Sequence, residues 1–147
     1  MKDADTDRKL SGAEKRALLR IARESIEAEL DGKKRPGPAG KGLLDEKRGA
    51  FVSLKKRGRL RGCIGFVEPR KPLAKTVEEM AVASAFQDPR FPPLRKDELQ
   101  DLRVEISVLT PLRRVVDADE IEVGVHGLYI RRGGRAGLLL PQVATEW

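Results

Sequence analysis

One cysteine and one histidine stand in 147 residues, and that scarcity decides several questions at once. A single cysteine closes no internal disulfide, and with one histidine it builds neither a zinc cage nor a cysteine-ligated iron–sulfur cluster. We therefore expect a chain that needs no metal or cofactor of its own. Aromatic residues make up only 4% of the sequence, which leaves few stacking platforms for single-stranded nucleic acid. No apolar run approaches the roughly 20 residues needed to cross a bilayer, and the N-terminus, Met1-Lys-Asp-Ala-Asp-Thr-Asp, has no apolar stretch to act as a secretory signal. The expected location is the cytoplasm. The length suits one domain with a packed core.

Charge, by contrast, is abundant: 36% of residues are charged and the net is +7. It is unevenly placed. Residues 33–71 carry 13 basic and 3 acidic groups, a net of +10, while residues 1–32 and 72–147 come to −1 and −2. A concentrated basic segment suits an anionic partner, or else forms a solvated face that keeps the protein soluble.

Along the chain, Ser11 and Glu14 have capping-box spacing, and Leu18, Ile21, Ala22, Ile26 and Leu30 form a helical stripe that Gly32 is placed to end. Residues 33–42 read as a surface loop, since their glycines do not follow a strand and open a helix as a phosphate-binding loop would. Residues 49–67 read as a β-hairpin around the three-residue loop Lys56-Arg57-Gly58. Pairing Lys55 with Arg59 sets Leu54 opposite Leu60 and Ala50 opposite Ile64, apolar against apolar. It places Val52, Leu54, Leu60, Ile64 and Phe66 on one face and Phe51, Ser53, Arg61, Cys63 and Gly65 on the other. Pro72 opens a second helix with Leu73, Val77, Met80, Ala81 and Ser84 on one side, ended by Pro89, Pro92 and Pro93. A helical turn over Asp97–Leu102 and a strand with Val104, Ile106 and Val108, stopped by Pro111, follow. Last comes a hairpin, 128–131 with 135–140, around Gly133-Gly134. Helices and antiparallel hairpins without a βαβ rhythm define an α+β fold.

Chemistry concentrates in Leu60-Arg-Gly-Cys-Ile-Gly65. Gly62 and Gly65 weaken a strand unless something approaches its backbone closely. Arg61 and Cys63 are two apart and project to one face, and a guanidinium beside a thiol favours the thiolate, the nucleophilic form. The same register sets Ser53 across from Arg61. A buried cysteine acting as a small hydrophobe is the alternative.

This hexapeptide resembles the signature of the AMMECR domain family, the A component of the AmmeMemoRadiSam system. Four further segments are similar to that family: Gly49-Ala-Phe-Val-Ser-Leu-Lys55, Phe86-Gln-Asp-Pro-Arg-Phe91, Val104-Glu-Ile-Ser-Val-Leu-Thr-Pro111, and Gly124-Val-His-Gly-Leu128 with Gly137-Leu-Leu-Leu-Pro-Gln142. These segments spread over most of the chain from the first helix onward, and we read 1–147 as one domain of this type. The resemblance implies antiparallel sheets with helices in two unequal subdomains flanking a cleft, and a C-terminal segment beyond Trp147 that this chain lacks. It also implies Memo-like and radical-SAM proteins as partners, but no assigned reaction. Carried onto this sequence, the motif residues are Arg61, Gly62, Cys63, Gly65, Asp88, Arg90, His126 and Gln142.

Three readings follow. In the first, the chain is an accessory, ligand-binding protein of that pathway, with Arg61, Gly62, Gly65, Arg90 and Gln142 around a small anionic ligand. In the second, the same cleft holds a cysteine-dependent enzyme with Cys63 as nucleophile, His126 as base and Asp88 as orienting carboxylate. Local signatures of known cysteine hydrolases are absent. The third is nucleic-acid binding by the basic strip 55–61, disfavoured by the few aromatics and the absence of recognised RNA-binding or helix-turn-helix patterns.

Overall fold

Ser11 starts helix α1 (Gly12–Leu30) as the spacing predicts. Its hydroxyl accepts the Glu14 amide at 3.1 Å, while Glu14 Oε1 accepts the Ser11 amide at 2.9 Å. Glu14 Oε2 also accepts the Leu43 amide at 3.0 Å, tying the helix start to a 3₁₀ turn over Gly42–Asp45. At the far end Gly32 takes φ 64°, and Lys33 N–H closes on Ala28 C=O at 2.8 Å. The computed structural model describes residues 10–35 and 42–110, and the backbone of 128–132 and 135–139. The turn residues Gly133-Gly134, the middle of the 33–42 loop, His126 and Gln142 lie outside the described residues.

Strands β1 (Ala50–Lys56) and β2 (Arg59–Phe66) form the expected hairpin, and β3 (Leu102–Val108) pairs with β1 on its other side, all antiparallel, in the order β2-β1-β3. Helix α2 (Leu73–Phe86) starts after Pro72, and a 3₁₀ turn over Lys96–Asp101 leads into β3. Ala50, Val52 and Leu54 are fully buried in one core with Leu18, Ala22 and Ile26 of α1 and Leu73, Val77, Ala81 and Ala85 of α2. Both helices therefore lie on one face of the sheet, and this half of the fold is an α+β layer pair.

The hairpin register differs from the expected one. Lys56 pairs with Arg59, so the loop shrinks to Arg57-Gly58, with φ 52° and 78°, the positive angles of a type I′ turn. A β-bulge then separates Lys55↔Leu60 from Leu54↔Gly62, leaving Arg61 without a partner on β1. Pairing Leu54 with Leu60 looked favourable because apolar residues matched. The space beside Leu54 belongs to α2 instead: a Cβ on Gly62 would overlap the Ser84 carbonyl oxygen, so only glycine fits there. Leu60 is turned out, 42% exposed, and Arg61 is taken in, 8% exposed.

The chain divides into two compact units, Met1–Leu112 and Arg113–Trp147. The second contains the hairpin of β4 (Leu128–Arg132) and β5 (Arg135–Leu139), paired from Leu128↔Leu139 to Arg132↔Arg135 around the expected two-residue gap. Among the described residues no helix is long and apolar enough to cross a membrane.

Candidate functional site around Cys63

Cys63 lies on the face of the sheet opposite the helices. Beyond the bulge the register puts Ser53 of β1 directly across from it, and Glu105 of β3 directly across from Ser53. Ser53 Oγ and Cys63 Sγ are 3.1 Å apart. One step along, Phe51 faces Gly65, and a Cβ on Gly65 would overlap the Phe51 ring. Phe51, Ser53 and Cys63 are all half-buried.

The outer edge of β2 is gripped by the chain leaving α2. Cys63 N–H donates to Asp88 Oδ2 at 3.0 Å, and Arg90 Nη2 reaches the Cys63 carbonyl at 3.4 Å. Asp88 and Arg90 are themselves locked together: Nε to Oδ1 at 3.0 Å, Nη2 to Oδ2 at 2.8 Å, and the Arg90 amide to Oδ1 at 3.1 Å. Two side chains thus do for the Cys63 peptide what a neighbouring strand would do, one accepting from its N–H and one donating to its C=O. Asp88 is buried, and the Arg90 guanidinium, helped by the two amides, holds its carboxyl well below the usual carboxylate range against the opposing effect of burial. Each Asp88 oxygen already accepts two hydrogen bonds, which fills the four lone-pair positions of a carboxylate. As placed, Asp88 orients the Cys63 peptide. The Arg90 side chain, by contrast, is 56% exposed and lies 5.5 Å from the Phe91 ring centroid.

Arg61 is placed differently from the expectation. The bulge breaks the two-residue alternation, so Ser53 faces Cys63 in its stead. The guanidinium makes a side-on pair with Glu98, Nε to Oε1 and Nη2 to Oε2, both 3.1 Å, and Nη2 also donates to Pro92 C=O at 2.8 Å. Lys56 Nζ at 3.0 Å and the Arg95 amide at 2.8 Å complete the carboxylate's shell. Arg61 draws the Glu98 carboxyl down to about 2, with the Arg95 amide and Lys56 acting the same way and burial opposing. None of Arg61's hydrogen bonds reaches the thiol. Gly62 turns to the helix side, where its role is the close approach of α2.

The structure thus brings together Cys63, Asp88, Arg90 and Gly65; Arg61 is paired with Glu98, its guanidinium 6.0 Å from the centroid of the Phe91 ring that Arg90 also approaches, and Gly62 turns to the helix side. Sequence reasoning missed Ser53 as a neighbour of Cys63 and missed Phe91, Glu98 and Glu105. An apolar groove lined by Leu10, Leu18, Leu19, Val104, Ile106 and Val108 opens between α1 and β3, on the helix side of the sheet and away from the thiol. Among the described residues no cluster of potential ligands is arranged to hold a metal ion.

An α+β sheet-and-helix unit with this motif across its β2 edge defines the class of protein, and the comparisons agree. Residues 19–147 match the AMMECR1 family, and the chain belongs to it. A protein of Methanothermobacter thermautotrophicus is 50% identical over 146 residues, covering 94% of this chain and 76% of that one. One of Methanopyrus kandleri is 47% identical over 148 residues, covering 94% and 72%. The crystal structure of the uncharacterized protein PH0010 from Pyrococcus horikoshii superposes with a TM-score of 0.81 at 42% identity, covering 88% of this chain and 70% of that one.

Proposed function

We propose that this chain is an accessory, ligand-binding protein of an AmmeMemoRadiSam-type pathway, and that it receives a small anionic ligand at Cys63 beside Arg90. One observation carries the reading. Arg90 is fixed by a buried carboxylate at the peptide of Cys63, yet more than half of its side chain faces solvent. A clamped guanidinium with an open edge is suited to a carboxylate or phosphate, because little side-chain freedom is lost when the anion arrives. Memo-like and radical-SAM proteins are its partners in this reading. Any cysteine-ligated cluster of the pathway belongs to a partner, because this chain has one cysteine.

The basic strip supports ligand binding over nucleic acid. Lys55 pairs with Glu105 at 3.6 Å, Lys56 and Arg61 with Glu98 at 3.0 and 3.1 Å, and Arg57 with Asp101 at 3.3 Å. Folding brings acidic groups of residues 98–105 onto the cations of residues 55–61, which reduces the field a phosphate backbone would meet.

The test uses the single thiol as its own reporter. Cys63 is alkylated with iodoacetate, an anion, and with iodoacetamide, its neutral analogue. Arg90→Gln should lower the iodoacetate-to-iodoacetamide rate ratio by about two- to fivefold, with the effect fading as salt rises. A ratio untouched by Arg90→Gln overturns the anionic reading. Co-purification of the tagged chain with Memo-like and radical-SAM proteins tests the pathway, and failure of both to co-purify refutes it.

A further inference from the structure

We infer that Ser53 is a positioning residue for the Cys63 thiol, setting how the sulfur meets a ligand on the helix-free face of the sheet. The inference rests on the reading that Cys63 faces the ligand, and it adds a residue outside the Leu60–Gly65 hexapeptide.

The argument begins with the bulge. By taking up one residue of β2, it moves Cys63 into register with Ser53, and the two side chains stand on the same face of a directly opposed pair. Their polar atoms are 3.1 Å apart, and either one is able to donate. The backbone beneath the pair is held on both sides. Asp88 and Arg90 grip the Cys63 peptide at the sheet edge, and β1 is the central strand, paired along its length with β3. With the backbone fixed, the sulfur retains only its χ1 rotation, and the Ser53 hydroxyl selects among those rotamers.

Protonation state determines what the hydroxyl does. A thiol either donates to Ser53 Oγ or accepts from it. A thiolate only accepts, so once the S–H proton leaves for solvent the hydroxyl must donate. Among the described residues no second side-chain hydrogen bond of Ser53 competes for its proton. In either state the bond holds the sulfur in one rotamer. The charged groups around the pair are Asp88 at the Cys63 amide and Arg90 at its carbonyl. On β3, Glu105 stands across from Ser53, paired with Lys55 at 3.6 Å and Arg103 at 4.0 Å. Asp88 and Glu105 are each paired with cations, and among the described residues the uncharged hydroxyl is the polar side chain that the register sets directly against the sulfur.

The test is infrared spectroscopy of the S–H stretching band, which one cysteine makes unambiguous, together with the alkylation rate by neutral iodoacetamide at neutral pH. Ser53→Ala should move the band and slow labelling by about two- to tenfold, the range one hydrogen bond supports. Ser53→Thr, which keeps the hydroxyl on a β-branched side chain suited to a strand, should restore both. A band and a rate that Ser53→Ala leaves unchanged overturn the inference. So does a Ser53→Thr protein that stays at the alanine values, because the change would then be one of packing. Neutral iodoacetamide separates this from the anionic reading. Loss of the Arg90 effect on iodoacetate with the Ser53 effect intact would sink that reading and leave the positioning role standing.

Discussion

Replacing Glu98 with Gln should destabilise the protein by about 2–3 kcal/mol, far more than loss of a surface ion pair, which is worth about 0–1 kcal/mol. Glu98 is 8% exposed in its side chain and Arg61 10%. Glutamine keeps the volume and one acceptor but removes the charge, leaving a buried guanidinium without its counter-ion. Breaking a buried pair in this way costs about 3–5 kcal/mol. The direction of the Glu98 titration agrees: Arg61 first, with the Arg95 amide and Lys56, draws the carboxyl from its ordinary 4.5 down to about 2 against burial. Lys56, 31% exposed, gives water access to one side of the cluster and lowers the expected loss toward 2.

Urea unfolding at pH 7 measures the loss from the midpoint at constant slope. A cycle with Arg61→Met, Glu98→Met and the double variant Arg61→Met/Glu98→Met isolates the pair. The double variant should be less damaged than the sum of its singles by about 2 kcal/mol, since two methionines fill similar space with no charge to bury. A Glu98→Gln loss below about 1 kcal/mol, or a coupling below about 0.5, would refute the buried-pair account. The cycle also bears on function. If Arg61 supports the bulge, Arg61→Met lowers stability and leaves the iodoacetate-to-iodoacetamide ratio at Cys63 unchanged. Arg90→Gln shifts that ratio.

Acid should unfold the protein through the same groups. Asp88 and Glu98 both titrate lower in the folded chain than in the unfolded one. Their stabilisation is therefore fully present above about pH 4.5 and is lost as pH falls from there toward 2 and below, while the unfolded state takes up protons first. Melting temperatures at pH 6, 4 and 3 should fall with a slope that Glu98→Gln flattens, and an unchanged slope would contradict the assignment. Gly62→Ala should cost about 1–3 kcal/mol in urea unfolding, because its methyl would overlap the Ser84 carbonyl. A neutral result would mean that α2 does not approach β2 so closely.

The parts of the fold set by local chemistry were legible in the sequence. The capping box at Ser11 and Glu14, the stripe on α1, the proline-bounded α2 and the alternation in β3 need no knowledge of anything distant. The hairpin register was not legible, since it depends on α2, which the strand sequence does not mention. Matching Leu54 with Leu60 obeyed the pairing rule. The structure shifts the pairing beyond the bulge by two residues, and a shift of two preserves the faces. That is why Phe51, Ser53, Cys63 and Gly65 were read on the correct face while Leu60 and Arg61 exchanged environments. Asp88 and Arg90 stand two residues apart, a spacing at which their mutual pairing is local. Their hold on a peptide 25 residues upstream was not legible, nor was Glu98, 37 residues from Arg61.

The contacts of α2 link the fold to the site. Gly62 allows the last turns of the helix to lie against β2, and Ser84 then meets the strand pair directly. Its hydroxyl oxygen accepts the Ile64 amide at 3.0 Å and lies 2.8 Å from the Val52 carbonyl. The helix ends at Phe86, two residues before Asp88, so the approach that Gly62 permits also delivers Asp88 and Arg90 to the β2 edge. Pro89 between them has no N–H to satisfy, and Phe91 N–H closes the turn on Asp88 C=O at 3.1 Å. A side chain at position 62 would therefore damage the site through the fold. It would lift α2, draw the carboxylate from the Cys63 amide, and free the Arg90 guanidinium from its anchor. In Gly62→Ala the Arg90-dependent preference of Cys63 for iodoacetate should fall along with stability. In Arg61→Met stability alone should fall.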